Sequence, residues 1–315
     1  MADSAPSQAP SPEVAALLDE LIASGRPSSR TLPLPHGRRN FGELIAPLTD
    51  RPDVAEVVDR RIPAADRDVP VRIYRPAGVP RAGAMVFLHG GGWVFGDLES
   101  HDGICRSLTR GSGVTTVAVD YRRAPEHPFP AGLEDAADVV RWLAGHGEEI
   151  GAAGPLAVAG DSSGASLAAA TSVLLRDEGN SPVRFQALLY PATDPSMSSA
   201  SYREHADDPF LSADEMAWYW SRYGGGKVPD DPLAALSTLS DLRRLPPTYL
   251  LVAGLDPLHD EGLAFAESLR QSGVPVRRRE YPDMPHGFLL FAGRLSAAVE
   301  ALAEVAAAIA AGLAQ

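Results

Sequence analysis

Five residues near the middle of the chain, Gly160-Asp161-Ser162-Ser163-Gly164, have the types and spacing that nucleophilic catalysis requires. An apolar run of strand length precedes them, and a small-residue run that predicts a buried helix follows. A Gly-x-Ser-x-Gly sequence between a strand and a helix is typical of a nucleophile elbow, a turn so sharp that only tiny side chains fit beside it. The pattern alone is weak, because the chain contains 29 glycines. Supporting residues must therefore be found elsewhere.

A serine nucleophile needs a base, and only three of the eight histidines, His205, His259 and His286, follow Ser162. Around a nucleophile elbow the chain order is serine, acid, histidine. His286 comes just after the last predicted strand, at the sheet edge where catalytic groups collect. We therefore predict that His286 is the base, and we interpret His259 as a surface or hydrogen-bonded residue.

The acid that orients the base should follow the preceding strand. Asp256 has this position, and Pro257 stiffens the turn after it. Two alternatives stay open. Asp260 could be the acid, although we interpret it as the cap of the helix that starts there, and Asp283 shares a loop with His286, where it is poorly placed to brace the ring.

A third motif, His89-Gly90-Gly91-Gly92-Trp93, directly follows another predicted strand. Consecutive glycines let backbone N–H groups converge on one point, which predicts donors for an oxyanion. The N–H of Ser163, next to the nucleophile, should complete this oxyanion hole. The alternative is a phosphate-binding loop, but its Gly-Lys-Ser/Thr ending is missing.

Strands and helices alternate from residue 84 onward, which predicts an α/β fold with a mostly parallel, doubly wound, eight-stranded sheet flanked by helices. The predicted strands are 54–62, 69–74, 84–88, 114–119, 156–159, 185–189, 248–252 and 276–281. The predicted helices are 12–24, 40–48, 98–110, 132–145, 162–177, 261–272 and 295–313.

The alternation fails once, between residues 190 and 247. We interpret residues 191–246 as a helical cap inserted over the sheet, assisted by a leader and cap helices in residues 1–50. Residues 51–190 and 247–315 are then the two parts of the catalytic domain. Two aromatic residues of the insertion, Trp218 and Trp220, are interpreted as core packing, with pocket lining as the alternative.

Composition excludes several other classes of protein. A net charge of −13 without a basic stripe argues against binding to nucleic acid or to anionic membranes, and the cluster 277–279 is interpreted as the solvated part of a strand. The single cysteine, Cys105, excludes an intrachain disulfide, has no partner cysteine for a zinc site, and is expected to pack in a helix. Residues 1–12 are expected to be a disordered leader, no run of about 20 apolar residues suggests a membrane span, and a cytoplasmic location is the default.

Together these motifs resemble those of the bacterial hormone-sensitive-lipase-like carboxylesterases of the GDSAG type. The similarity covers roughly residues 50–315, with a looser fit in the N-terminal helices. The matching segments are 89–93, 96–102, 120–131, 160–164, 256–258 and 286–288.

The resemblance implies an α/β-hydrolase fold with a helical cap and hydrolysis of carboxylic esters of short to medium acyl chain. It implies Ser162 as nucleophile, His286 as base and Asp256 as the residue that orients it. The family's oxyanion glycines correspond to Gly91 and Gly92. It implies no cofactor and no metal, a small-molecule ester as partner, and the option of a homodimer through the edge strand 276–281.

Two residues depart from the family pattern. Ser163 stands where alanine is usual, and its hydroxyl could compete for hydrogen bonds near the nucleophile. Arg123 stands where an apolar residue is commoner, which could change the surface. Glu126 and His127 match the pattern and are interpreted as structural residues.

Three rival functions make different demands on the sequence. An amidase or peptidase on the same fold would use the same residues. A ligand-binding protein on this fold, like the plant gibberellin receptors, would lack the catalytic histidine. A trypsin-like protease would be all-β, with histidine and aspartate before the serine, and would commonly contain disulfides.

Overall fold

The computed structural model describes residues 9–78, 82–179 and 181–314. Most of the expected disordered leader, residues 1–8, thus lies outside the described residues. Eight strands are present: β1 (Glu56–Pro63), β2 (Asp68–Arg75), β3 (Ala84–Leu88), β4 (Thr115–Val119), β5 (Leu156–Asp161), β6 (Val183–Leu189), β7 (Thr248–Leu255) and β8 (Val276–Pro285).

The strands form one sheet in the order β1-β2-β4-β3-β5-β6-β7-β8. The β1–β2 and β2–β4 pairs are antiparallel, and all other pairs are parallel. The predicted eight-stranded, mostly parallel sheet is confirmed. Because β3, β5, β7 and β8 run in the same direction, the residues that follow them emerge at one edge of the sheet.

The described helices are α1 (Pro12–Ala23), α2 (Leu34–Ile45), α3 (Asp102–Ser112), α4 (Ala131–His146), α5 (Ser163–Asp177), α6 (Ala200–Glu204), α7 (Ala213–Tyr223), α8 (His259–Gln271) and α9 (Ser296–Leu313). Helices α3 and α9 cover one face of the sheet, and α4, α5 and α8 cover the other. Successive strand residues point to opposite faces, so Val86 joins one apolar cluster and Phe87 the other. The sheet is therefore buried on both sides, as its apolar strands predict.

Two helices begin four or more residues away from their predicted starts. Helix α2 begins at Leu34, before the predicted residue 40, because Pro33 is the N-cap and Pro35 lies in the first turn, where proline costs no hydrogen bond. Helix α3 begins only at Asp102 and not at residue 98. Before it, the backbone N–H groups of Asp97 and Ser100 donate to each other's side chains in a tight turn.

The N-terminal helices and the insertion lie against one another. Ser28, between α1 and α2, donates to Glu215 of α7 at 3.2 Å, and Glu215 also forms a capping box with Ser212 at the start of α7. At its other side, α1 contacts the end of the chain: the Glu13 carboxylate accepts hydrogen bonds from the backbone N–H and hydroxyl of Ser296, at 2.8 and 2.9 Å. The N-terminal segment thus contacts both the insertion, through Ser28, and the start of α9, through Glu13.

Helix α9 is the one described helix long and apolar enough to cross a membrane. Half of it is buried inside the protein, where it packs against α3, β5 and β6. Core packing thus accounts for its apolar side. Cys105 of α3 lies in the same cluster, fully buried, and burial raises the pKa of its thiol.

Candidate active site

Ser162 lies at the turn between β5 and α5, with φ of 54° and ψ of −124°. Positive φ is strained for a residue with a side chain and needs support from its surroundings. Its backbone N–H donates to the Leu189 carbonyl at 2.8 Å. A Cβ on Gly160 would overlap the Gly164 carbonyl, and one on Gly164 would overlap the Leu88 carbonyl. Close backbone approach therefore explains both glycines of the pentapeptide.

Ser162, His286 and Asp256 form one continuous hydrogen-bonded line. His286 Nε2 lies 2.9 Å from Ser162 Oγ, and His286 Nδ1 lies 2.7 Å from Asp256 Oδ2. The other carboxylate oxygen of Asp256 accepts from the Leu258 N–H at 2.8 Å. Asp256 is fully buried, while Ser162 and His286 each keep 8% of their surface exposed. A small molecule can thus reach the serine and the imidazole, but the acid is shielded from solvent.

The alternative acids lie elsewhere. Asp260 accepts from the Ser201 N–H at 3.0 Å and pairs with His259 Nδ1 at 3.0 Å. His259 Nε2 in turn lies 3.3 Å from Glu280. Within the described residues neither Asp260 nor Asp283 forms a hydrogen bond with His286.

The charge around His286 favours its protonated form. Burial alone would lower the pKa of His286, but the Asp256 carboxylate outweighs it through its charge and its hydrogen bond, and the charges of Asp161 and Asp208 act in the same direction. The net effect raises the pKa of His286 above its ordinary value of 6.5. A raised pKa makes the imidazole a stronger base toward the serine hydroxyl.

The glycine-rich segment after β3 turns back over Ser162. Gly91 and Gly92 have φ of 112° and 60°, a region that favours glycine. A Cβ on Gly92 would also overlap the ring of Tyr219 from α7. The backbone N–H groups of Gly91, Gly92 and Ser163 have no acceptor among the described residues, although all three residues line the same pocket as Ser162. Three free donors at a serine hydroxyl are suited to stabilise an oxyanion.

Several hydrogen bonds hold this segment, here called the oxyanion loop (residues 89–93), and three of them join it to side chains far away in the sequence. The Tyr121 hydroxyl donates to the His89 carbonyl at 2.7 Å. The Gly90 N–H donates to the buried Asp161 carboxylate at 2.9 Å. The Trp93 N–H donates to Ser163 Oγ at 3.1 Å. The motifs found in the sequence gave no signal for these contacts, because each joins residues at least 32 positions apart.

A cavity of about 140 Å³ opens over Ser162. Its walls are mainly apolar and come from α1, α2, the insertion and the segment after His286; they include Leu21, Phe41, Leu44, Ile45, Leu211, Met216, Tyr219 and Phe291. Trp218 and Trp220 do not line it. Trp220 is fully buried against Trp93, and Trp218 stacks on Phe95, so both have the packing role that we expected.

The remaining motif residues lie away from the cavity. Glu126 pairs with Arg38 of α2 at 2.7 Å, and Arg123 donates to the Gly96 carbonyl and lies 3.6 Å from Asp120.

Sequence reasoning missed Tyr190, whose ring contacts the His286 ring edge-on at 5.0 Å between centroids. Among the described residues there is no cluster of three or more histidine, cysteine or acidic side chains that could hold a metal ion.

Comparisons with known proteins identify the family. A family model described as alpha/beta hydrolase fold matches residues 85–290. Esterase LipI of Mycobacterium tuberculosis is 42% identical over 253 residues, covering 78% of each chain. The chain belongs to the α/β-hydrolase family.

Two further members of the family match over almost the whole chain. Ethyl acetate hydrolase of Pseudomonas putida is 37% identical over 316 residues, covering 95% of this chain and 98% of the relative. The crystal structure of a thermostable esterase from Pseudomonas putida ECU1011 superposes with a TM-score of 0.92 at 33% identity, covering 99% of both chains. The predicted fold and the resemblance to this family of hydrolases are confirmed.

Proposed function

We propose that Ser162, His286 and Asp256 act as nucleophile, base and orienting acid in the hydrolysis of small carboxylic esters. Similar members of the family are esterases and carboxylesterases, and the chain is a carboxylic ester hydrolase of this family. The observation that supports these roles best is the hydrogen-bonded line from Asp256 through His286 to Ser162, at 2.7 and 2.9 Å.

In the first half of the reaction, Ser162 Oγ attacks the ester carbonyl carbon as its proton moves to His286 Nε2. The carbonyl oxygen becomes an oxyanion, which the N–H groups of Gly91, Gly92 and Ser163 stabilise. By analogy with other oxyanion holes, each donor contributes about 3–4 kcal/mol. The tetrahedral intermediate then collapses, the bond to the alcohol oxygen breaks, and His286 returns the proton to the leaving alcohol.

In the second half, water attacks the acyl group on Ser162 as His286 takes a proton from it. The same donors stabilise the second oxyanion, and His286 returns the proton to Ser162 as the carboxylic acid leaves. Asp256 keeps the proton of His286 on Nδ1, so that Nε2 faces the serine. No step needs a metal or an organic cofactor.

The apolar cavity supports a preference for esters of short to medium acyl chain. Its volume of about 140 Å³ is small beside the pockets that enclose drug-sized ligands, which begin at about 300 Å³. We expect kcat/KM for p-nitrophenyl esters to reach a maximum at a short acyl chain and to fall for long ones. Matched anilides, assayed beside these esters, test the amidase alternative.

The test of the proposed roles is direct. Ser162→Ala and His286→Ala should each abolish ester hydrolysis without loss of folding, whereas His259→Ala, a histidine outside the line, should keep near-normal activity. An organophosphonate should label the unaltered chain on Ser162, as shown by peptide mass spectrometry. Turnover retained by Ser162→Ala would contradict the mechanism, and absence of an adduct would favour the ligand-binding alternative.

A homodimer through β8 stays a prediction. Among the described strands, β8 is the last in the sheet and pairs with β7 alone, which leaves its outer edge as a place where another chain could pair. Arg277, Arg278 and Arg279 on this strand are exposed, and their like charges would have to be accommodated across the interface. Sedimentation equilibrium across protein concentrations and ionic strengths tests it: a dimer that tightens with salt is the expected result.

A further inference from the structure

The side chain of Ser163 forms a hydrogen bond with the backbone of Trp93. Its hydroxyl oxygen accepts the hydrogen bond from the Trp93 N–H at 3.1 Å, and the two residues are 70 positions apart in the chain. Both are about 99% buried, so water cannot replace the bond. A buried N–H without a partner costs about 1–3 kcal/mol.

Trp93 needs this support more than an ordinary residue does. It has φ of 60°, a conformation that bulky side chains rarely adopt and that persists only where the surroundings enforce it. Its ring lies against Trp220 and stacks on Tyr223, which fixes the side chain. The bond to Ser163 fixes the backbone on the side of Gly92.

Other side-chain anchors of the oxyanion loop act at its beginning. Tyr121 holds the His89 carbonyl and Asp161 holds the Gly90 N–H. The Ser163 hydroxyl is therefore the side-chain anchor at the end of the loop, directly after Gly92. The two glycine donors lie between these fixed ends.

We propose that the Ser163 hydroxyl is a positioning group that aligns the two halves of the oxyanion hole. Ser163 supplies its own N–H from the start of α5, and its side chain holds the end of the loop that supplies the N–H groups of Gly91 and Gly92. Ser163 thus sets the distance between its own N–H group, which follows β5, and the N–H groups of Gly91 and Gly92, which follow β3. This inference rests on the proposed function, because it assumes that these donors bind the oxyanion.

The geometry disfavours the competing role, in which the extra hydroxyl disturbs the nucleophile. Within the described residues Ser163 Oγ has no hydrogen bond to Ser162 or to His286. Its hydrogen bond joins it to the Trp93 N–H. The hydroxyl is therefore directed toward the oxyanion loop.

Ser163→Ala tests the proposal, because alanine keeps the backbone N–H and removes only the hydroxyl. We expect kcat to fall about 3- to 10-fold, the equivalent of one hydrogen bond, with KM nearly unchanged. The acid limb of the pH–rate profile should not move, since the groups around His286 stay in place. A trifluoromethyl ketone adds to Ser162 Oγ and places an oxyanion in the hole, and its inhibition constant should rise by the same factor as kcat falls.

Ser172→Ala is the matched control. Ser172 is a buried serine of the same helix whose hydroxyl donates to the Ala168 carbonyl at 3.2 Å, and its loss should leave kcat and the inhibition constant unchanged. An unchanged or higher kcat in Ser163→Ala overturns the proposal, as does an equal loss in Ser172→Ala. Organophosphonate labelling of Ser162 in each variant distinguishes failure of this proposal from failure of the proposed function. If the proposed function is wrong, even the unaltered chain should form no adduct.

Discussion

At the scale of single residues, the charge around His286 sets the pH at which the site works. Only the neutral imidazole can accept the serine proton, so activity is present above the pKa of His286 and is lost as the pH falls through it. Because Asp256, Asp161 and Asp208 raise the pKa of His286, we expect the acid limb of kcat/KM to have its midpoint above 6.5. Below that midpoint the rate should fall about tenfold per pH unit.

Replacing Asp256 should change both the pH of the acid limb and the value of kcat. Asp256→Asn removes the largest positive contribution to the pKa of His286, so the acid limb should move to lower pH. Loss of the tautomer control should lower kcat by about 10⁴, as in the corresponding change of a serine-protease triad. Asp260→Asn, at the alternative acid, should leave both unchanged. A limb that stays in place in Asp256→Asn would contradict the assignment of Asp256.

Gly92 offers a second prediction at this scale. Gly92 and Gly25 both have φ of 60°, but a Cβ at Gly92 would overlap Tyr219, whereas nothing lies within 4 Å of one at Gly25. Gly92→Ala should therefore displace the oxyanion loop and lower kcat/KM about 10²-fold, the usual cost of losing one donor. Gly25→Ala, which introduces the same backbone strain in open space, should retain its activity. Equal losses in steady-state assays of both variants would show that crowding by Tyr219 is not the cause.

At the scale of elements, helix α2 depends on Arg38. Its guanidinium binds both carboxylate oxygens of Glu126, at 2.7 and 2.9 Å, and donates to the carbonyls of Val94 and Ala124. The following turns of α2 supply Leu44 and Ile45 to the cavity. One side chain thus joins α2 to the segments that follow β3 and β4.

Removing this contact should loosen the cavity wall. We expect Arg38→Ala to lower the free energy of unfolding by about 1–2 kcal/mol, mainly through the lost bonds to the two carbonyls, and to raise KM more than it lowers kcat. Arg39→Ala, an exposed arginine of the same helix, should change neither. Urea denaturation and steady-state kinetics on both variants measure the effect, and identical behaviour of the pair would rule out this role of Arg38.

The elements also show what a sequence can and cannot reveal. The meeting of Ser162, Asp256 and His286 could be predicted because each directly follows a strand, and the parallel topology brings those strand ends together. The start of α2 differs from the predicted residue 40 because proline, which breaks a helix in its interior, is tolerated where α2 begins, at Pro33 and Pro35. The bond from Trp93 to Ser163 could not be foreseen, since it depends on the packing of two segments whose sequences contain no sign of each other.

At the scale of the whole molecule, the net charge of −13 should select among substrates. A negative field slows the approach of an anionic ester and leaves a neutral one unaffected. We expect kcat/KM for the anionic half-ester of a dicarboxylic acid to be lower than for a neutral ester of the same length. The ratio should narrow as ionic strength rises from 0.01 to 0.1 M, because the screening length falls from about 30 to about 10 Å.

Part of the preference for neutral over anionic esters should remain at high ionic strength. Asp161 and Asp256 are buried next to the site, and charges inside a protein are screened far less than those on its surface. Paired progress curves for the two esters across the salt series measure both components. A ratio independent of ionic strength would assign the selectivity to the site alone.

The contact between Glu13 and Ser296 has a consequence for how the enzyme matures. The two residues are 283 positions apart, and a ribosome releases α1 long before it makes α9. Helix α1, which supplies Leu21 to the cavity, therefore cannot form its contact with Ser296 until α9 has been translated. The wall of the substrate cavity that α1 supplies is consequently completed only after α9 has been translated, so a nascent chain without α9 would hold its nucleophile in an unfinished pocket.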